Sequence, residues 1–302
     1  DATFYCRKNP EKDFANGLIG QAWAIEALVE AFKVTKRSKY LDIALEVFLL
    51  HPFNKKLGLW KRVNVDGSYN DFDKTFNHQL WFAAAGTILY SETGNNDLKN
   101  SLDIFLNKLN KNFDTYKNGL IKHKVKLNNS NKNLIKNYLK KYLHFKAKIF
   151  NKQSMQYKEN GYHLFNLYAF ALIKKSGFDL EFWESNSFEK AVKYAFSNEL
   201  IEKLEKNNYK SDYTKLSSVD NNLNVNRYGF AYNAPGFEIP FIYEMFENKI
   251  NKKIDIDRII EKQINYTYDD SKNMFASNTE DKITLTSRVY EFIRYLILKE
   301  NN

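Results

Sequence analysis

Two carboxylates, an amide, an imidazole and an indole crowd into one short stretch, YNDFDKTFNHQLWFAAAG, residues 69–86. Asp71 and Asp73 are two apart, so in extended backbone both would point to the same side. Asn77 and Trp81 are four apart and share a face if this part is helical, with His78 about 100° around the axis. These types suit work on a sugar. One carboxyl would protonate a leaving oxygen, its pKa raised by the other, which would orient water or support positive charge at the anomeric carbon. His78 and Asn77 would hold hydroxyls or a carboxylate, and Trp81 would be the platform under the ring. A structural reading stands beside this one. Asp73 or Thr75 would cap a helix, His78 would be satisfied in its first turn, and Trp81 would belong to the core.

The elements that must position these groups are helices. Only four prolines and eleven glycines punctuate 302 residues, and period-2 alternation is rare. GLIGQAWAIEALVEAFKVT (17–35) is apolar on most faces, and KYLDIALEVFLLHPF after it gathers its polar residues on one side. A buried helix followed by an amphipathic one is an inner and outer pair. The theme returns in FNHQLWFAAAGTILYSET with DLKNSLDIFLNKLNKNF, and in GYHLFNLYAFALIKKSG with NSFEKAVKYAFSNELIEKL. It returns again in PGFEIPFIYEMF with DIDRIIEKQINYTY, and TLTSRVYEFIRYLIL closes the chain. Polar, aromatic-rich loops such as LGLWKRVNVDG separate the pairs, and KNLIKNYLKKYLHFKAKIFN (132–151) reads as an extra basic helix. The expected fold is all-α, one domain over residues 1–302, a closed toroid of inner and outer helices, with an open superhelix as the alternative.

In such a barrel the loops leading into inner helices meet at one end, and each mouth carries polar groups. Asp13, Asn16 and Gln21 surround the first mouth, and His163 and Asn166 begin the third. NRYGFAYNAPGFEIP brings Arg227, Tyr228, Tyr232, Asn233 and Glu238, and Thr284 and Arg288 are four apart on the last helix. Each alone has a structural explanation. Glu238 and Pro240 fit a helix first turn, and Arg288 could pair with Glu291. Their recurrence at one topological position marks them as substrate-binding candidates, with Arg227 and Arg288 offering a fork matched to a carboxylate.

The formal charge of +10 favours an anionic partner, although abundant Lys and Asn also suit plain solubility. Lysines beside aromatics in YLKKYLHFKAK read as a solvated helix face rather than a nucleic-acid surface, so no nucleic acid is expected as partner. No eighteen-residue apolar run is present, so no membrane span is expected. One cysteine, Cys6, precludes internal disulfides and a multi-thiolate metal site. DGSYND has alternate oxygen ligands but lacks the downstream glutamate of a calcium loop, and no HExxH occurs. Glycine-rich phosphate loops, dinucleotide fingerprints and nucleophile elbows are missing too, so neither metal nor cofactor is expected. A start at Asp1 suits processing or truncation, leaving compartment open between cytoplasmic and exported.

NGLIGQAWAIEAL, DGSYNDFDKTFNHQLWFAAAG and GYHLFNLYAF resemble the inner-helix mouths of the six-hairpin carbohydrate-active superfamily. That group includes unsaturated uronyl hydrolases, N-acylglucosamine 2-epimerase-like proteins and toroidal polysaccharide lyases. The resemblance is one of layout over most of the chain. It implies an (α/α) toroid, slightly short of six hairpins, with Asp71, Asp73 and His78 at the catalytic positions. The expected function is a glycoside hydrolase acting on an acidic or unsaturated uronate-containing oligosaccharide or polysaccharide. A lyase is the alternative, with Asn77 and an arginine neutralising the uronate carboxylate while His78 or a tyrosine takes the C5 proton. A non-catalytic saccharide-binding scaffold is the third reading.

Overall fold

The structure, a computed structural model, describes residues 1–6, 14–126, 141–205 and 225–300, with the helix backbone alone over 141–153. Asp13 and residues 132–140 of the expected basic helix lie outside the described residues. Two compact units emerge. The first comprises residues 1–114, 123–126 and 169–188, and the second residues 115–122, 127–168 and 189–302.

In the first unit, α1 (Gly17–Thr35) packs against α2 (Lys39–Leu50) and α3 (Phe76–Thr93), and α4 (Asn96–Asn107) packs on α3, followed by the single turn α5 (Leu109–Asn112). The burial follows the expected division. In α3, thirteen of the eighteen residues are buried, all of them between Phe76 and Leu89, whereas α4 buries one stripe, Leu98, Leu102, Phe105 and Leu106. A helix apolar all round belongs inside, and a striped one covers it. Gly86 shows how close the contact is. A Cβ there would come within 2.6 Å of the Phe48 ring, and that ring stacks on Phe82 with centroids 4.4 Å apart.

The segment expected as loop between α2 and α3 is a small antiparallel sheet. Its strands are β1 (Phe53–Asn54), β2 (Leu59–Val63) and β3 (Tyr69–Phe72), in that order. Trp60, on β2, drives Leu59–Val63 into the core, with its ring edge-on to Phe48 and Phe82. Gly67 (φ 86°) lies in the turn that returns the chain to β3, where Val63 faces Tyr69.

α6 (Lys141–Lys175) runs unbroken from residues of the expected basic helix into the third inner helix, and it contributes to both units. In the second unit, α7 (Asn186–Ala195) and α8 (Asn198–Glu205) are short amphipathic helices. α9 (Pro235–Phe246) is buried on most of its surface and packs against α10 (Ile256–Thr267) and α12 (Val289–Glu300). A two-stranded ladder of β4 (Tyr268–Asp269) and β5 (Met274–Phe275) leads to the short α11 (Lys282–Ser287). Phe237 of α9 meets Phe275 and Phe292 with ring centroids 5.1 and 5.7 Å away.

Candidate active site

The N-terminal turns of α1 and α3 are joined by one carboxylate. Asp73 is buried, and its Oδ2 lies 2.8 Å from His78 Nδ1 and accepts the Leu18 N–H at 3.5 Å. Its Oδ1 accepts the Thr75 N–H at 3.1 Å. Burial pushes this carboxyl upward, but the hydrogen bond and charge of His78 and the two backbone N–H groups outweigh it, leaving the pKa below its ordinary 3.8. Asp73 is therefore charged at neutral pH and fixes His78 with Nδ1–H as the donor. The imidazole keeps 26% of its side-chain surface exposed, and among the described residues Nε2 has no hydrogen-bond partner.

Two neighbours make this arrangement possible. Gly17 (φ 60°) opens α1 beside the dyad, and a Cβ there would stand 2.7 Å from Asp73 Oδ2. Gln79, fully buried, donates from Nε2 to the carbonyls of Trp60 (2.8 Å) and Asp73 (2.9 Å), while its Oε1 accepts the Trp60 N–H (3.0 Å). It thereby pins β2 and the backbone of Asp73 to α3. A glutamine inside an apolar helical run must find such partners, and that was the signal available for it. Arg62 went unseen because β2 read as loop. Its Nη2 donates to Asn70 Oδ1 at 3.0 Å, and its Cδ would lie 3.5 Å from a Cβ at Gly17.

The expected pairing of Asp71 with Asp73 does not form. Extended backbone ends at Phe72, so alternation fails one residue before Asp73. Asp71 is exposed, with Lys74 Nζ 3.2 Å away, and the Phe72 N–H together with Lys74 lowers its pKa. Neither acid is raised by the other. Trp81 is core, 1% exposed. Asn77 is buried with Oδ1 unpartnered among the described residues. Gln21 is buried and ties down the N-terminal segment, exchanging hydrogen bonds with the Phe4 backbone N–H (2.9 Å) and carbonyl (3.0 Å).

In the second unit, His163 is buried. Its Nδ1 accepts the Ile121 N–H at 3.3 Å and its Nε2 donates to the Ala191 carbonyl at 2.9 Å. Burial drives its pKa down to about 4, so it is neutral. Asn166 donates to the Tyr162 carbonyl at 2.8 Å. The rings of Tyr228 and Tyr232 lie 5.7 and 6.2 Å from that of Tyr162. Arg227 lies over Tyr228 at 5.3 Å and pairs with Glu280 at 3.1 Å. Arg288, fully buried, pairs with Glu291 at 2.9 Å and lies 4.8 Å from the Phe165 ring centre. Glu238 is fully buried with both carboxyl oxygens unpartnered among the described residues. Burial first, then the charge of Glu291, holds its pKa well above the carboxylate range despite Arg288.

No family profile matches the sequence. Archaeal glycosylation protein Q of Haloferax volcanii is 32% identical to the chain over 304 aligned positions, spanning 97% of this chain and 75% of that protein. The chain belongs to the archaeal glycosylation protein Q family. Cellobiose 2-epimerase from Bacillus thermoamylovorans B4167 has the same fold, with a TM-score of 0.53 at 17% identity over 92% of this chain and 71% of that one. This family member thus shares the fold of that epimerase, the (α/α) toroid expected from the sequence. Among the described residues no helix is long and apolar enough to cross a membrane, and no three His, Cys, Asp or Glu side chains gather as metal ligands.

Proposed function

We propose that this family member is a glycan-processing enzyme that moves a proton at a sugar carbon of an acidic saccharide. His78 is the proton carrier, and Asp73 is the carboxylate that positions it. The observation that carries this reading is the 2.8 Å contact between a buried, charged carboxylate and a partly exposed imidazole at the mouths of two buried helices. With Nδ1–H donated to Asp73, the lone pair on Nε2 can accept a proton from carbon, and the resulting imidazolium is steadied by Asp73. A C–H bond is acidic enough only beside a carbonyl or a neutralised carboxylate, so the substrate carries one. Arg62, whose Cδ would lie 3.5 Å from a Cβ at Gly17 beside this pair, is the cation assigned to that group, whereas Arg227 and Arg288 already face Glu280 and Glu291. Loss of a leaving group from the next carbon would give an unsaturated sugar, and return of the proton to the opposite face would give an epimer. The glycosylation role in the relative's name and the epimerase that shares the fold both support sugar chemistry of this kind.

Hydrolysis of an acidic or unsaturated uronate-containing saccharide is the second reading, and one observation favours it. Glu238 is held protonated, the state a general acid needs. Asp73, held charged, does not fit that role.

The test is incubation with acidic oligosaccharides in deuterated water, following isotope uptake, unsaturated-uronate absorbance and reducing ends together. Deuterium or absorbance should appear, and His78→Asn should slow it about 10²–10⁴-fold. New reducing ends without deuterium, lost in Glu238→Gln and kept in His78→Asn, would establish the hydrolase instead. Binding without turnover would reduce the protein to a saccharide-binding scaffold.

A further inference from the structure

The second unit contains a cavity of about 380 Å³ that none of the sugar chemistry above uses. It lies between the end of α7, the start of α8, the buried face of α9 and the start of α10. Its floor is aliphatic. Ile201, Ile239, Ile254 and Ile259 line it together with the Phe196 ring. Its rim is cationic, formed by Lys252, Lys253, Arg258 and Lys262 against the single carboxylate of Asp255.

Not all these charges are already matched. Lys262 is paired with Glu205, and Asp255 caps α10 by accepting the Arg258 N–H at 3.1 Å. Among the described residues Lys252 is hydrogen-bonded to a neutral amide alone, Asn198 Oδ1, at 3.3 Å. Lys253 and Arg258 are exposed and have no ion pair among the described residues. Three cations with no ion pair among the described residues, beside the one carboxylate of Asp255, thus line an apolar hollow of the size that accepts a small organic ligand.

We propose that this groove binds an anionic amphiphile, a phosphate ester on an aliphatic chain, with the phosphate among Lys252, Lys253 and Arg258 and the first carbons on the isoleucines. Charge complementarity selects the head. Arg258 offers a planar fork and the lysines offer point charges, a set matched to a group with several oxygens and more than one negative charge. The floor selects the tail. A sugar needs many hydrogen-bond partners, but this floor is four isoleucines and the one Phe196 ring, with Asn198 as the neutral polar side chain. Burying hydrocarbon there is favourable in proportion to the area covered.

The full chain would be titrated calorimetrically with dodecyl phosphate below its micelle concentration, beside inorganic phosphate, dodecyl maltoside and an acidic oligosaccharide. Dodecyl phosphate should bind at least about tenfold more tightly than the other three. The double variant Lys253→Glu, Arg258→Glu should weaken it about tenfold or more, and higher salt should do the same in the parent protein. Both positions are exposed, so the variant should keep its urea midpoint. Ile254→Asp, which removes tail contact and leaves the cations, should bring dodecyl phosphate down to the level of inorganic phosphate. Equal binding of inorganic and dodecyl phosphate would make this a bare anion site and overturn the proposal. Equal binding of dodecyl maltoside, tighter binding of the oligosaccharide, or indifference to the double variant would overturn it as well.

Discussion

His78 and His163 carry the same ring into opposite settings. His78 touches solvent and leans on a charged carboxylate, while His163 is sealed between the Ile121 N–H and the Ala191 carbonyl, with no carboxylate paired to it among the described residues. The folded protein therefore resists protonating His163 until about pH 4, whereas an unfolded chain takes that proton near 6.5. Stability from this group is fully present above 6.5 and is lost as pH falls from there to about 4, a loss of about 3 kcal/mol. Urea unfolding across that window should show the decline, and a His163→Gln variant should flatten it. Glu238 works in the other direction. Its pKa is raised on folding, so stability is fully present below the ordinary carboxylate pKa of 4.5 and is lost as pH rises through the folded value. Glu238→Gln should accordingly be as stable as the parent at pH 5 and more stable at pH 8, measured by the same unfolding. The residue types at the candidate site were readable from the sequence because Asp73 and His78 lie five apart at a helix mouth. Their relation was not. Whether Asp71 or His78 is the neighbour of Asp73 depends on where extended backbone stops, a matter of one residue.

Among the elements, inner and outer helices separated themselves by how their apolar residues are distributed, which is why α1, α3, α9 and their partners were legible. The sheet between α2 and α3 was not, because strands of two to five residues leave too short a pattern for period-2 alternation to stand out. That sheet matters to the site, since one side chain, Gln79, ties both β2 and the backbone of Asp73 to α3. Replacing it with alanine leaves the Trp60 N–H and two carbonyls without their partner inside the fold. Gln79→Ala should cost about 2–4 kcal/mol in urea unfolding. Turnover should fall further than KM changes, because the backbone carrying Asp73 is released rather than the substrate. Gln79→Glu, which keeps the shape and the acceptor but loses the amide donors, should recover only part of either.

For the whole molecule, charge is the property that reaches furthest. An excess of ten positive charges would attract the acidic saccharide proposed as substrate over distances comparable with the Debye length, about 10 Å at 0.1 M salt. Raising salt from about 0.05 to about 0.5 M should raise KM for a uronate-bearing oligosaccharide several-fold and leave kcat and the KM for any neutral substrate nearly unchanged. Steady-state kinetics on matched charged and neutral substrates would check this. The path of the chain carries a different consequence. The first unit is assembled from three separate stretches, and α6 belongs to one unit up to Tyr168 and to the other from Ala169. No single cut in the gene, and no exchange of one end for another, yields either unit whole. Recombination therefore meets this protein as an indivisible inheritance. Its lineage can be revised by point substitution and by lengthening surface loops, but a half borrowed from a cousin must agree with the resident half at the middle of a helix.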